Sequence, residues 1–543
     1  MMRILGISNA HDSNICVIEN GEVILHVEKE RITRIRYDEG SMEEFLPEIL
    51  SSIGLTIEDI DIVATSVPVW KDLPTTGQMV GGDYSHAMDW GKGEIIICGR
   101  KIPAYNIAHH LGHIALCYYL SPFEEADILS LDGGGNYTFG LLCHANNNSI
   151  DLIKDLKEQN LGWFWNALAG RIFGSMAAAG KVMGLAPYGS PCYVDQLYKE
   201  FGNDKNGLKY VYMQEFPDHT KPIKFSIIGE KGESKGLTKE EEDMSNSLQK
   251  VTDDMAISIL SQLIPSEKRS KNLCISGGVA LNCVMNEAIR KSGLYSNIYV
   301  PSAPNDAGLS MGFGLYLWHN ILGNPKVTKS HWHPYRGMPQ KETDKLLAVK
   351  IGREKGLIVE YHPSEEEQNK AVVQLLIEQK IVGIHRGRSE SGPRALGHRS
   401  IVADPRNPAM KDIINAKVKF REAFRPFAPS VLIEKTTELL DFDGYSPYMS
   451  FAPKCKANAN DKMAATIHVD GSARLQTADP HNNPDFYKLI HAFYDETGVP
   501  VLLNTSLNTK GEPINETPLH SLDTLLKSEL DALLIDDYLF IKK

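Results

Sequence analysis

Alternating hydrophobic and polar residues at the start of the chain predict three short strands. These strands cover residues 3–8, 14–19 and 22–28. The dipeptide Asn20-Gly21 separates the second strand from the third, and it favours a two-residue hairpin turn because both residues accept positive φ. The chain therefore begins with an antiparallel, hairpin-connected unit.

The same order of elements returns later in the chain. A strand at residues 126–131 leads into the glycine turn DGGGN, and a strand at 137–144 is joined through a polar NNN turn to another at 150–153. A repeated unit of this kind predicts an internally duplicated α/β fold. The actin, sugar-kinase and heat-shock ATPase superfamily shares this ground plan, and its members bind nucleotide between the two halves.

Glycine turns mark candidate nucleotide contacts. A predicted strand at residues 273–276 ends in Gly277-Gly278, and a predicted helix through ALNCVMNEAIRK follows, so backbone N–H groups point into the turn. The stretch GSMAAAGKVMGLAPYG has the wrong spacing for a P-loop, and Lys181 either lines a nucleotide cleft or caps a helix. The residues predicted to contact nucleotide are Gly133, Gly134, Asn136, Gly180, Lys181, Gly277, Gly278 and Asn282.

A change in composition divides the chain into two predicted domains. Residues 323–340 are rich in Pro, Gly, His and aromatic residues, which is typical of a linker. We place the boundary so that residues 1–335 form the duplicated domain and residues 336–543 form a second α/β domain. A chain of 543 residues is too long for one core, which agrees with this division.

Two histidines and two aspartates form a candidate metal site. In YNIAHHLGHIALCYYL, His109 and His113 are four residues apart on a predicted helix, so they share one face at a separation of about 6 Å. Asp132 and Asp306 lie where predicted strands end. Nitrogen and oxygen ligands of this kind suit Fe(II) or Zn(II). The alternative is that the two histidines are structural.

The segment from Arg386 to Arg425 reverses the charge of the chain. Its ten cations outnumber its four acids, whereas the whole chain has a formal charge of −12. These charges flank turns in SGPRALGHRSIVADPR and KFREAFRPFAPS, and Arg presents a planar fork that fits phosphate or carboxylate. We predict a preformed site for a small polyanion, with a solvated basic surface as the alternative.

Two further segments supply polar side chains. In VPVLLNTSLNTKGEPI, Asn504, Ser506 and Asn508 occupy alternate positions of a predicted strand and therefore share one face. They form either a ligand shelf or the solvent side of an edge strand. His11 lies in the turn between the first two strands, where it is a candidate general base.

Composition narrows the class of partner. The acidic balance and the lack of a finger, RRM or helix-turn-helix signature argue against nucleic acid. The sequence has no signal-like start and no run of about 18 apolar residues, so we expect no membrane partner and a cytoplasmic location. Eight scattered cysteines without a C-x-x-C pair predict reduced thiols.

Seven motifs together resemble the NodU and tobramycin-type O-carbamoyltransferases along the whole chain. These motifs are AHHLGH, LDGGGN, GKVMGLAPYG, SGGVALN, ESGPRALGHRSIVADPR, KFREAFRPFAP and LLNTSLNTKGEPI. The resemblance implies an N-terminal domain similar to the metal-binding ATPases of tRNA threonylcarbamoyl-adenosine synthesis and a C-terminal domain similar to YrdC proteins. It places the metal on His109, His113, Asp132 and Asp306, and the family's HD-turn histidine on His11.

The resemblance also implies the activity. Carbamoyl phosphate would bind Arg394, Lys419, Arg421, Arg425, Asn504 and Ser506. With ATP, it would give carbamoyl adenylate in the C-terminal domain. The N-terminal domain would then pass the carbamoyl group to a hydroxyl of a small molecule, such as a natural product or sugar. The implied cofactors are one Fe(II) or Zn(II) per chain and Mg(II) with ATP.

Two alternative functions stay open at this point. One is a tRNA threonylcarbamoyl-type modification enzyme, which the acidic charge disfavours. The other is a nucleotide-switched binding module of the actin superfamily, which leaves the arginine cluster without a role. A homodimer is compatible with the sequence, which contains no signal for oligomeric state.

Overall fold

Three β-sheets form the framework of the protein. The computed structural model describes residues 1–67, 73–200, 236–326 and 332–543. Within these residues the strands are β1 (Arg3–Ser8), β2 (Asn14–Glu19), β3 (Glu22–Glu28), β4 (Ile62–Ser66), β5 (Gln78–Gly81), β6 (Trp90–Ile97), β7 (Arg100–Ile107), β8 (Glu125–Leu131), β9 (Gly140–Asn146), β10 (Ser149–Asp155), β11 (Asn272–Ser276), β12 (Asn297–Tyr299), β13 (Ile358–Tyr361), β14 (Val382–His385), β15 (Arg399–Ala403), β16 (Ala428–Leu432), β17 (Gln476–Ala478), β18 (Val501–Ser506), β19 (Ala532–Ile535) and β20 (Tyr538–Ile541).

Helices cover the faces of these sheets. They are α1 (Lys29–Thr33), α2 (Leu46–Ser51), α3 (His109–Leu120), α4 (Leu161–Phe173), α5 (Ala179–Leu185), α6 (Val194–Glu200), α7 (Lys239–Leu263), α8 (Cys283–Lys291), α9 (Leu309–Tyr316), α10 (Glu342–Glu354), α11 (Glu365–Ile377), α12 (Met410–Lys417), α13 (Thr436–Leu439), α14 (Asn460–Met463), α15 (Pro484–Thr497) and α16 (Pro518–Lys527). A π-helical turn, Leu317–Ile321, continues α9.

The first two sheets repeat one topology. The first sheet has the order β3-β2-β1-β4-β7-β6-β5 and the second has the order β10-β9-β8-β11-β12. Each begins with three antiparallel strands, and two further strands then continue in parallel: β1 pairs with β4 and β4 with β7 in the first sheet, and β8 pairs with β11 and β11 with β12 in the second. The first sheet differs from the second by the added β5–β6 hairpin. This repetition confirms the predicted duplicated, actin-like α/β fold.

Helices α3 and α9 lie in the core between the two sheets. Side chains from β1, β2, β8 and β9 share one buried cluster with both helices, including Ile18, Leu116, Ile128 and Phe313. Because α3 follows β7 and α9 follows the loop after β12, each helix starts at the carboxyl end of a parallel strand. The fold therefore places the start of both helices at the same edge of the molecule as the ends of β1, β8 and β11.

The C-terminal part of the chain forms the third sheet. Its order is β13-β20-β19-β14-β15-β18-β16-β17, with parallel pairing of β14 with β19 and of β16 with β17. Buried clusters cover both of its faces. This agrees with the predicted second α/β domain. The boundary at residue 335 stays a prediction, and residues 327–331 of the predicted linker lie outside the described residues.

The sequence patterns locate most strands closely. The predicted strands at residues 3–8, 14–19 and 22–28 are confirmed at both ends, and Asn20 and Gly21 both have positive φ in the turn. The strand predicted at 137–144 instead begins at Gly140. The reason is that Tyr137 has φ +69° and Gly135 N–H donates to Thr138 O at 3.1 Å, so the glycine turn extends through Thr138.

Among the described residues, no helix combines the length and apolar character needed to cross a membrane.

Two glycines allow α3 and α9 to pack in direct backbone contact. A Cβ on Gly312 would lie 2.1 Å from the carbonyl oxygen of Gly112, and a Cβ on Gly112 would lie 2.5 Å from the Phe313 ring. No side chain fits at these distances. The spacing of the helices, and with it the position of the histidines on α3, depends on the absence of a side chain at Gly312.

We expect Gly312→Ala to lower the free energy of unfolding by about 1–3 kcal/mol, because the added methyl group must push the two helices apart. The matched control is Gly180→Ala in α5, where no atom lies within 4 Å of the new Cβ. That change should leave stability unchanged or raise it by up to about 1 kcal/mol. Urea unfolding of the two variants measures the difference, and equal stabilities would contradict the close packing.

Candidate active site

Four potential metal ligands come together at the edge where the parallel strands end. His109 and His113 lie one turn apart at the start of α3, directly after β7. Asp132 follows β8, and Asp306 follows β12 after a short loop. All four side chains are buried. Among the described residues, these four form a group whose ligand atoms lie within 4.8 Å of one another.

The distances within this group define a compact pocket. His113 Nε2 lies 2.8 Å from Asp132 Oδ2 and 3.3 Å from Asp306 Oδ1. His109 Nε2 lies 3.6 Å from Asp306 Oδ1 and 3.9 Å from Asp132 Oδ2. The two imidazole Nε2 atoms are 3.1 Å apart. Four potential ligand atoms therefore surround one small volume.

This donor set fits a divalent transition metal. Ligand bonds of about 2.0–2.2 Å at tetrahedral or octahedral angles separate neighbouring ligand atoms by about 2.8–3.6 Å. The observed separations of 2.8–3.9 Å bracket that interval. Two neutral imidazole nitrogens cannot remain 3.1 Å apart without a proton or a cation between them. The described cysteines lie outside this group, so its ligands are nitrogen and oxygen.

The pKa shifts at the pocket follow from its charges. Burial lowers the pKa of His113, but hydrogen bonds to Asp132 and Asp306 outweigh it and raise the pKa to about 9. Burial raises the pKa of Asp132, but the two histidines outweigh it and hold the pKa well below its usual value. The carboxylates thus attract a proton or another cation to this point.

The glycine turns support Asp132. Its Oδ1 accepts a hydrogen bond from Gly133 N–H at 2.6 Å, and its Oδ2 accepts one from Gly278 N–H at 3.1 Å. Gly277 has φ +86°, and a Cβ there would lie 2.2 Å from Leu131 O. The turns after β8 and β11 therefore touch each other only because these positions are glycine.

The other residues predicted to contact nucleotide lie around these turns. Gly134 and Asn136 are half-buried in the turn after β8. Asn282 is the N-cap of α8, where its Oδ1 accepts from Met285 N–H at 3.0 Å, and its amide donates to Gln249. Its side chain thus supports the helix that follows the Gly277-Gly278 turn.

Gly180 and Lys181 lie elsewhere, on α5. Lys181 forms an ion pair of 2.7 Å with Glu422 of the basic segment, and a Cβ on Gly184 would lie within 4 Å of Phe424 and Pro426. Helix α5 therefore packs against the C-terminal domain. Its role in nucleotide binding stays a prediction.

His11 lies beside the four-ligand pocket. Its Nε2 is 3.5 Å from Asp306 Oδ2, and its Nδ1 is 3.2 Å from Asp12 Oδ2. Asn305 donates to the same Asp12 oxygen at 3.1 Å, which orients the carboxylate. The imidazole is 61% exposed, so it remains open to the cleft. Partial desolvation lowers the pKa of His11, but Asp306 and Asp12 outweigh it and raise the pKa to about 10.

A second group of side chains gathers positive charge in the C-terminal domain. Lys419 Nζ is buried and donates to Ser506 O at 2.8 Å, to Asn508 O at 2.9 Å and to the Asn508 side chain. Burial and the nearby Arg421 and Arg425 hold the pKa of Lys419 well below its usual value. We call Arg394, Lys419, Arg421, Arg425 and Arg474 the cation cluster.

Neighbouring arginines of the cation cluster affect one another's pKa values. Burial and the neighbouring Arg474 lower the pKa of Arg394 to about 9. Burial, Arg425 and Arg474 lower the pKa of Arg421. Among the described residues, the ion pair between this cluster and an acid is a long one, 3.8 Å between Arg425 Nη1 and Glu422 Oε2. These cations are held together against their mutual repulsion.

Arg474 was not predicted from the sequence. It lies outside the basic segment, after a turn that precedes β17, and no motif distinguishes it. Its Nε is buried and has no hydrogen-bond partner among the described residues. Burial lowers its pKa, so the guanidinium would gain from an anion.

The other arginines of the basic segment have structural partners. Arg399 is fully buried and donates to the carbonyl oxygens of Arg386, Gly387 and Glu516. Arg406 forms a bidentate pair with Asp404, and Arg388 donates to Gly337 O. The predicted anion site is therefore smaller than the segment.

Two of the three residues of the predicted shelf lie on one strand. Asn504 and Ser506 lie on β18, whereas Asn508 lies just beyond its end and accepts from the Ser506 hydroxyl at 2.7 Å. The Asn504 amide donates to Ala395 O at 3.1 Å, and its Oδ1 is buried without a partner among the described residues. The shelf thus connects Lys419 with the residue next to Arg394.

Comparison with known proteins gives the family. A model described as the carbamoyltransferase N-terminus matches residues 3–71 and 94–315, and one described as the carbamoyltransferase C-terminus matches residues 373–542. Nodulation protein NolO of Bradyrhizobium diazoefficiens is 34% identical over 80% of this chain and 79% of its own length. Nodulation protein NolNO of Sinorhizobium fredii is 31% identical over 98% of this chain and 79% of its own length.

A third relative matches over nearly its whole length. An uncharacterised protein of Synechocystis sp. is 30% identical over 100% of this chain and 97% of its own length. The two family models together cover most of the residues, including the four-ligand pocket and the cation cluster. The chain therefore belongs to the carbamoyltransferase family, and it is a carbamoyltransferase.

Proposed function

We propose that the protein uses ATP to transfer a carbamoyl group from carbamoyl phosphate to a hydroxyl of a small molecule, such as a natural product or a sugar. The proposal rests on one observation: the chain contains two sites, and each gathers one kind of ligand group without a matching partner. One site gathers ligands for a cation, and the other gathers five cations with little acidic compensation. Carbamoyl phosphate and ATP are both polyanions that suit the second site.

The first half-reaction takes place at the cation cluster. Water releases phosphate from carbamoyl phosphate and leaves carbamate. A carbamate oxygen then bonds to the α-phosphorus of ATP, and the bond to the β-phosphate breaks. The products are carbamoyl adenylate, pyrophosphate and phosphate, with Mg(II) accompanying ATP. The cations of the cluster reduce the repulsion between the two anions as they approach.

Individual residues have distinct tasks in this step. Arg394 and Arg425 present guanidinium groups for phosphate oxygens, and Arg421 is held by Asn415 and stacks on Phe427. Lys419 is fixed by the shelf and provides a compact charge. Asn504 Oδ1, which is buried and unpaired among the described residues, can accept the N–H of the carbamoyl group.

The second half-reaction takes place in the N-terminal domain. The acceptor oxygen attacks the carbamoyl carbon, the bond to AMP breaks, and His11 takes the hydroxyl proton. Asp306 and Asp12 raise the pKa of His11 to about 10, so the imidazole is already protonated near neutral pH. In that state it cannot accept the hydroxyl proton. A cation bound by Asp306 balances that charge, so the role of His11 as a base depends on occupancy of the four-ligand pocket.

The four ligands His109, His113, Asp132 and Asp306 would hold one Fe(II) or Zn(II), which supplies a positive charge beside the leaving phosphate. The turns at Gly133 and Gly278 fix Asp132 and present backbone around the same edge. Turns of this kind suit the phosphate and ribose of the adenylate.

The first prediction concerns the metal. Purified protein should contain close to one Fe or Zn per chain, and His113→Ala should lose most of it, since a ligand from a buried four-residue set is removed. Elemental analysis after gel filtration measures this. His144→Ala, which removes a histidine paired with Asp127 outside the pocket, is the control. Equal metal content in both variants would contradict the site.

The second prediction concerns the cation cluster. Lys419→Ala and Arg394→Ala should each lower carbamoyl-phosphate-dependent pyrophosphate release by about 10–150-fold, because a charge-assisted contact contributes about 1.5–3 kcal/mol. Arg394→Lys should also fail if its contact is bidentate. Arg406→Lys is the matched control, because Arg406 belongs to the same segment but pairs with Asp404. Full activity of Arg394→Lys would contradict a bidentate contact between the Arg394 guanidinium and the phosphate.

The third prediction separates the two half-reactions. Lys419→Ala should not form carbamoyl adenylate but should still transfer when given preformed carbamoyl adenylate and an acceptor. His11→Asn should release pyrophosphate but transfer poorly, because the acceptor hydroxyl lacks its base. His86→Asn, at an exposed histidine, serves as the control. If both variants lost both half-reactions, a single composite site would replace this assignment.

A further inference from the structure

The N-terminal domain holds one residue of the C-terminal domain by both of its backbone groups. Glu28 Oε1 accepts a hydrogen bond from Gly392 N–H at 2.7 Å, and Arg31 donates one to Gly392 O at 2.7 Å. Glu28 and Arg31 are 5% and 2% exposed and lie 3.4 Å apart as an ion pair. We call this pair of contacts the Gly392 clamp.

On the side away from the clamp, the turn at Gly392 packs tightly against the N-terminal domain. Gly392 has φ +99°, and a Cβ there would lie 2.2 Å from Ser302 O. The hydroxyl of the preceding Ser391 lies 3.0 Å from His26 Nδ1, and His26 Nε2 lies 2.8 Å from Ala307 O. The turn at Gly392 therefore packs against the loop that contains Asp306.

The clamp controls the backbone two residues before Arg394. Pro393 lies between them, and its ring restricts φ, so the position of Gly392 is passed on to Arg394. Among the described residues, the Arg394 guanidinium has no hydrogen bond or ion pair of its own. Its placement in the cation cluster is thus set by its backbone instead of by partners of its side chain.

We propose that Glu28 and Arg31 are positioning residues that hold Arg394 in place for the phosphate-bearing substrate. This inference rests on the proposed function of Arg394. The pair lies in a different domain from the anion that it serves, and it touches Gly392 but not the substrate. Retaining a buried ion pair for two backbone contacts is understandable if the position of this turn matters for binding.

The test replaces the pair by side chains of similar length in the double variant Glu28→Met with Arg31→Met. Replacing a buried ion pair by apolar groups often preserves stability, so the variant can fold. Pyrophosphate release is then measured against carbamoyl phosphate concentration. We expect KM for carbamoyl phosphate to rise about tenfold or more, since a small displacement of a binding group has effects of this order, with kcat much less affected. Metal content should stay near wild type, and the melting temperature should fall by a few degrees because Gly392 N–H and C=O lose their partners.

Two controls make the result specific. Glu48→Met with Lys341→Met makes the same double change in an exposed ion pair between the same two domains, and it should leave KM unchanged. Arg31→Lys keeps a donor near Gly392 O and should restore part of the affinity. A merely structural role would move melting temperature instead of KM.

The outcomes separate this inference from the proposed function. A folded double variant with wild-type KM would overturn the inference if Arg394→Ala raises KM in the same assay. An unchanged KM in Arg394→Ala would instead overturn the role of Arg394 itself, and the clamp proposal with it. If the double variant does not fold, Arg31→Gln provides the same test, and a wild-type KM in that variant would overturn the inference.

Discussion

The structure depends on a rigid scaffold that keeps chemically similar groups, which repel each other, close together. At one point two imidazole nitrogens lie 3.1 Å apart beside two carboxylates. At another, burial and the neighbouring arginines lower the pKa values of Arg394, Lys419 and Arg421. Each arrangement is balanced when a ligand of opposite character is bound, a cation in the first and a polyanion in the second.

The fold supplies the rigidity in a simple way. Because two sheets repeat one topology, the carboxyl ends of their parallel strands meet at one edge, and His109, Asp132 and Asp306 reach that edge from three different strands. Helices α3 and α9 pack through their glycine contact, which fixes the position of the histidines on α3. The C-terminal domain then rests on the loop that contains Asp306. The four-ligand pocket and the cation cluster are therefore connected through this contact between the domains.

Local patterns predicted the elements that local forces determine. The first three strands are correct to the residue because alternation and the Asn20-Gly21 turn agree. The four metal-type ligands were found because two of them share a helix face and two follow strands. The start of β9 was wrong by three residues because the glycine turn continues through Thr138, which no alternation pattern records.

Long-range contacts were beyond sequence reasoning. Arg394, Arg399 and Arg406 look alike in sequence, yet Arg399 is buried among backbone carbonyl partners and Arg406 is paired with Asp404. Arg474 lies far from the basic segment in the chain. The Gly392 clamp joins residues more than 360 positions apart, and from the sequence Glu28 was predicted only as the end of a strand. Such roles are fixed by how the two domains meet.

The most direct test of this account is the anomalous scattering of crystals of the purified protein, collected on both sides of the Fe and Zn absorption edges. The account predicts one anomalous peak within about 2.0–2.2 Å of ligand atoms from His109, His113, Asp132 and Asp306, at one of the two edges. Well-ordered density for these four side chains with no peak between them would contradict it.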